Sequence, residues 1–200
     1  MSLIPAFELG LWNAWILILP IIIASMFGAK ILSKRKSEDS SSFSLKVKAA
    51  TIMYFLIELS SYVYSIFLPL NSNAIWFIVG VLIYLPAFCF LILGLLNFAA
   101  TPANELVTTG AYSISRNPSY VSDVLVKTSI GIACFSWIFL LIAVIDFVLL
   151  RIIVVVEEGV LLKRYGTTYS NYLTSTPRWI GIPKSEKKQY LTPQTYQETL

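Results

Sequence analysis

Runs of roughly twenty apolar residues alternate with short polar stretches along this chain, and each run is long enough to cross a hydrocarbon core of about 30 Å as a helix. The first run spans Leu11 to Leu32. Basic residues follow it rather than precede it, so it reads as a retained transmembrane helix, kinked at Pro20, and not as a cleaved signal. A basic, serine-rich loop at 33–48 comes next, with Lys34, Arg35, Lys36, Lys46 and Lys48 on either side of Ser40 to Ser44. A second span covers Ala49 to Leu70. The polar turn Asn71-Ser72-Asn73 then leads into a third span from Ala74 to Phe98.

From Ala99 to Ser119 the pattern turns polar and rich in turn formers, including Pro102, Gly110, Asn117 and Pro118. The apolar stretch after it, Tyr120 to Val156, would measure about 55 Å as one helix, too long for a single crossing. It is expected to double back near Gly131 to Trp137 as a tight helical hairpin. Beyond Val156, Leu161, Leu162, Tyr165, Tyr169, Tyr172 and Leu173 recur at helical spacing, while Lys163, Arg164, Ser170 and Asn171 fall elsewhere. That pattern predicts an amphipathic helix lying at the membrane surface. The expected fold is all-α: a polytopic integral membrane protein with about five transmembrane helices, the last two a hairpin, plus a C-terminal interfacial helix. Three regions follow: 1–98 with three spans, 99–180 with the polar segment, hairpin and surface helix, and a flexible polar tail at 181–200.

Composition supports this reading and removes alternatives. Hydrophobic residues make up 56% and charged residues 13%, with mean hydropathy +0.73; soluble domains carry about 25% charge. Lipid must cover what so few polar groups cannot solvate. The net charge of +4 sits in loops beside apolar runs, which suits lipid headgroups and no nucleic-acid partner. By the positive-inside rule the 33–48 loop, the 99–119 segment and the C-terminal part with Lys163, Arg164, Arg178, Lys184, Lys187 and Lys188 face the cytoplasm, and the N-terminus lies outside. Cys89 and Cys134 fall in apolar stretches and read as packing residues. Histidine is absent, which removes the commonest general base and metal ligand, and no metal site is expected. Neither a GxGxxG nor a GxxxxGK[ST] pattern occurs.

Two polar segments at span ends are candidates for chemistry. In Asn104 to Tyr120, Gly110 is free to take a positive φ and Pro118 restrains Asn117 to an extended conformation. Such a bent chain presents backbone donors and acceptors beside Tyr112 and Tyr120, a surface suited to an adenosine ring or a sulfonium; the plain alternative is an interhelical loop whose Arg116 reaches headgroups. The other segment runs from Arg151 to Glu157 and Glu158, with Arg151 seven residues before Glu158 on one helical face. It could position a substrate, or simply end the span with charge. Glu58, Asp123 and Asp146 also fall within spans, and Lys127 follows Asp123 at i+4, close enough to pair with it.

Together these segments resemble the isoprenylcysteine carboxyl methyltransferase family and the wider group of membrane phospholipid methyltransferases. The resemblance rests on Leu106-Val107-Thr-Thr-Gly110-Ala-Tyr112, Arg116-Asn117-Pro118-Ser119-Tyr120, Glu157-Glu158, Tyr165-Gly166-Thr-Thr-Tyr169-Ser-Asn-Tyr172 and Pro177-Arg178, over about the last half of the chain. It implies a methyltransferase that uses S-adenosylmethionine and releases S-adenosylhomocysteine, acting on a lipid or prenylated substrate at the cytoplasmic membrane face. It also implies a cofactor pocket lined by Asn104, Glu105, Leu106, Val107, Tyr112, Asn117, Pro118, Ser119, Tyr120 and Glu157; beside it, Arg151, near but not aligned with the family's arginine, and Glu158 are the catalytic candidates. Two positions depart from the pattern: Asn117 stands where the family has histidine, and Ile153 where it has an arginine. Glu158 is a candidate base for an amine acceptor. Competing readings are a non-catalytic membrane protein of the same fold and a nicotinamide-dependent membrane reductase.

Overall fold

The computed structural model describes residues 8–34, 45–70 and 75–181. Among them the chain forms helices α1 (Trp15–Lys34), α2 (Leu45–Ile66), α3 (Ile75–Ala100), α4 (Ala111–Ile114), α5 (Pro118–Ala133), α6 (Trp137–Tyr165) and α7 (Thr167–Ser175). The Asn71 turn, the tail from 182 and most of the basic 33–48 loop lie outside the described residues.

Four helices, α1, α2, α3 and α6, are long and apolar enough to cross a membrane. The fifth expected span corresponds to α5, which has 16 residues and at 1.5 Å per residue reaches about 24 Å, shorter than the other four. Its sequence carries Ser119, Ser122, Asp123, Lys127, Thr128 and Ser129, so it is also the most polar arm of the bundle. The expected hairpin is present. Residues 134–136 turn the chain from α5 into α6, with Phe135 at φ 53° and Ser136 Oγ accepting from the Phe139 amide as an N-cap. The apolar stretch therefore divides unequally, into a short buried arm and a 29-residue helix.

Small residues explain how α5 finds its place. Gly80, Tyr84, Ala87, Leu91 and Gly94 form the buried stripe of α3, spaced alternately by three and four residues as in a packing seam. A Cβ on Gly80 would lie 2.5 Å from Ala133 Cβ, and one on Gly94 would lie 3.3 Å from Pro118 Cγ. The two ends of α5 thus sit against the two glycines of α3, a close approach that small residues permit where no hydrophobic drive exists between lipid-bathed helices. At the other end of the bundle Asn13 Nδ2 donates to the Ile66 carbonyl and the Ala14 amide to the Leu68 carbonyl. These bonds tie the start of α1 to the end of α2.

The expected surface helix is broken. Gly166 takes φ 54°, where side-chain-bearing residues are rarely found, and separates α6 from α7. Tyr169 and Tyr172 then turn inward with Leu162 and form a small second core, against which Leu106 and Tyr165 also pack. Much of the apolar stripe read as membrane-facing is used for protein contacts, because a break in the helix lets α7 fold back.

Candidate active site

Residues 104–120 and 157–178 meet at one end of the bundle. Gly110, at φ 62°, opens the short α4; a Cβ there would collide with the Asn97 amide, whose oxygen accepts from the Ala111 amide at 2.9 Å. Tyr112 stacks on Phe98, with ring centroids 6.4 Å apart, and its carbonyl accepts from the Tyr172 hydroxyl at 2.6 Å. Burial, reinforced by the neighbouring Tyr112, pushes the Tyr172 phenol well above its usual range, so it remains a donor at physiological pH. Pro118 occupies the first turn of α5, where its missing N–H is harmless.

Arg116 joins the two segments. Its Nε donates to Glu158 Oε1 at 2.9 Å, its Nη1 donates to the Leu173 and Thr176 carbonyls, and its backbone amide donates to the Pro177 carbonyl. Arg178 reaches the same carboxylate, with Nη2 2.8 Å from Glu158 Oε2. Glu158 is 1% exposed and held by two guanidiniums. Arginine keeps its proton, so both Glu158 oxygens accept from fixed cations. Glu158 thus ties Arg116 to Arg178.

Glu157, one residue earlier, is in a different setting. Its two oxygens lie 3.0 and 3.1 Å from the Tyr120 hydroxyl, which donates to them across the hairpin. Among the described residues no lysine or arginine forms an ion pair with it. Its polar partner is a neutral phenol rather than a cation.

The remaining predicted positions fall into three groups. Asn104 and Glu105 are exposed at the rim, Leu106 is half-buried and Val107 buried. Asn117 and Ser119 are half-buried, and Pro118 is buried between them. Asn117 donates its side-chain amide to the Arg178 carbonyl at 3.2 Å, a bond that needs a donor but no imidazole. Arg151 is the exception: it is exposed, and the cations that reach Glu158 are Arg116 and Arg178. Seven residues do return a helix to nearly the same face, but only the Glu158 end is covered by α5 and the chain after α7. Ile153, where the resemblance leads one to expect an arginine, is buried. Sequence reading passed over Asn97, Ser115 and Thr176; only the polarity of Asn97 at the end of an otherwise apolar span marked it.

The order of these segments also appears in comparison with known proteins. Residues 76–168 match the phospholipid methyltransferase family. This agrees with the resemblance carried by the Leu106, Arg116 and Glu157 motifs, and the match runs from α3 into α7. It indicates a membrane methyltransferase, in a family whose members generally use S-adenosylmethionine. No curated protein and no solved structure matches the chain.

Two apolar grooves lie elsewhere. One of about 470 Å³ runs along the α1–α3 seam from Trp15 to Phe27 and from Phe88 to Leu96. The other, about 440 Å³, lies on α2 around Leu59, Val63 and Phe67.

Proposed function

We propose that the protein transfers methyl groups from S-adenosylmethionine to a lipid-like acceptor, at the end of the bundle where residues 104–120 meet 157–178. One observation carries this reading: Glu157 is a carboxylate at the junction with a phenol but no cation beside it. The donor set fits the cofactor. Asn104, Glu105 and the backbone around Leu106 and Val107 would take its polar end, Tyr112 and Tyr120 its ring, and Asn117 to Ser119 would form the floor. A bound sulfonium would supply the cation that Glu157 lacks. When bound, the cofactor supplies an electrophilic methyl on positive sulfur, so the protein's contribution is alignment and exclusion of water.

The clamp serves that alignment. Arg116 and Arg178 hold Glu158, and through it the chain after α7, against the start of α5, which fixes the backbone that carries Asn117 and Tyr120. The acceptor class follows from charge. A carboxylate acceptor needs a neighbouring cation, but Arg116 and Arg178 are engaged with Glu158 and position 153 is isoleucine, so a lipid amine fits better than a prenylated carboxylate; it would react as the free amine, having first given its ammonium proton to water at the headgroup level. The positive-inside pattern supports a cytoplasmic site with the N-terminus outside.

Purified protein should melt at a higher temperature with S-adenosylhomocysteine, since a ligand at about 100 times its dissociation constant adds about 2.7 kcal/mol. Glu157→Gln should weaken that shift and slow transfer of labelled methyl to membrane lipids. Absence of any shift in the unaltered protein, or an unchanged one in Glu157→Gln, would overturn the assignment.

A further inference from the structure

A second charged cluster lies away from this site, among α2, α5 and α6. Lys127 Nζ donates to Asp123 Oδ1 and Oδ2 at 2.8 and 2.7 Å and to Glu58 Oε1 at 2.5 Å. Asp146 Oδ2 is 2.6 Å away and forms an ion pair with the same ammonium. The ammonium has three N–H groups and more oxygens around it than it can serve. Glu58 Oε2 and both Asp146 oxygens have no hydrogen-bond partner, although they are buried. Asp146 is 0% exposed, and one oxygen from each carboxylate lies within 4.8 Å of the others.

The other groups facing the cluster do not correct the deficit. From α2, Tyr54 donates to Glu58 at 3.0 Å and to Asp123 at 3.3 Å, and Tyr62 faces Glu58. From α5, Tyr120 lies one turn before Asp123 and is bonded to Glu157. From α6 the only charged contributor is Asp146, and α3, which packs on the other side of α5, has no charged residue. Phenols donate hydrogen bonds but carry no positive charge. Three carboxylates and one ammonium, if all were ionised, would leave two uncompensated negative charges inside a bundle of membrane-crossing helices, a costly state.

We propose that Glu58, Asp123 and Asp146, gathered around Lys127, form an exchangeable proton-binding site. A bound proton removes one of the two surplus charges and turns a carboxylate into an acid that can donate to one of the orphaned oxygens. A divalent metal is the weaker occupant, because Lys127 Nζ already holds the centre. The cluster is closed unevenly: the side chains of Asp123 and Glu58 are 14% and 10% exposed, against 2% for Lys127 and 0% for Asp146. The edge of the cluster is reachable while its interior is closed. This site stands whether or not the methyl-transfer reading does.

Infrared spectra of the full chain in lipid nanodiscs, recorded from acid to alkaline pH in H₂O and D₂O, test the proposal. A neutral-carboxyl C=O band should appear, shift on deuteration and fade as pH rises. It should shrink in Asp146→Asn, and in Glu58→Gln or Asp123→Asn if the first variant does not fold. No such band, one that neither exchanges nor titrates, or one unchanged in all three variants would overturn the proposal. Loss of the band on adding calcium or magnesium would overturn it in favour of a metal site.

Discussion

The two buried charge clusters are near inversions of each other. At the candidate active site one carboxylate, Glu158, is held by two guanidiniums; among α2, α5 and α6 one ammonium, Lys127, is surrounded by three carboxylates. The difference lies in what each excess can do. Surplus guanidinium cannot shed its proton, so the first cluster must satisfy it geometrically, and Arg116 does so with the Leu173 and Thr176 carbonyls. Surplus carboxylate can take up protons, so the second cluster tolerates orphaned oxygens that would otherwise be prohibitive. The first is a clamp of fixed charge. The second has a charge that can vary.

That contrast can be broken or sharpened by substitution. The largest effect should come from Glu158→Ala, which strands two cations; a loss of about 3 to 5 kcal/mol is expected, toward the lower end because Arg178 is 21% exposed. A melting temperature within a degree or two of the unaltered protein would deny the clamp. Lys127→Met should cost less, about 2 to 3 kcal/mol, because the three acids can neutralise themselves by protonation. Its penalty should grow with pH: the folded cluster binds more protons than the unfolded chain, so stability falls as pH rises. A pH-independent penalty would count against proton uptake.

Smaller changes follow. Arg116→Lys keeps the charge but loses the fork that spans Glu158 and two carbonyls, and should cost about 1 to 2 kcal/mol in thermal unfolding. If lysine served equally well, charge rather than geometry would account for the clamp. Asp146→Asn removes one of the surplus charges and should alter stability by less than about 1 kcal/mol, in either direction. Arg151→Ala should do least, below about 0.5 kcal/mol, since the residue is exposed and far from Glu158. A marked loss of methyl transfer in Arg151→Ala would restore the acceptor role that its position argues against.

What the sequence alone determined is what repeats locally. Apolar run lengths set the long helices and the membrane environment, the excess length of Tyr120 to Val156 required a hairpin, and the motifs around Gly110, Arg116 and Glu157 marked the segments that meet. These features depend on neighbours within a few turns, so spacing carries them. Tertiary packing alone decided which of two adjacent glutamates is clamped, that Arg151 is left uncovered, and that α7 folds back at Gly166. It also brought Glu58 to Lys127 across 69 residues. The reason is physical: helical period says which residues share a face, but burial and charge pairing depend on what covers that face, and here the cover comes from chain far away in sequence.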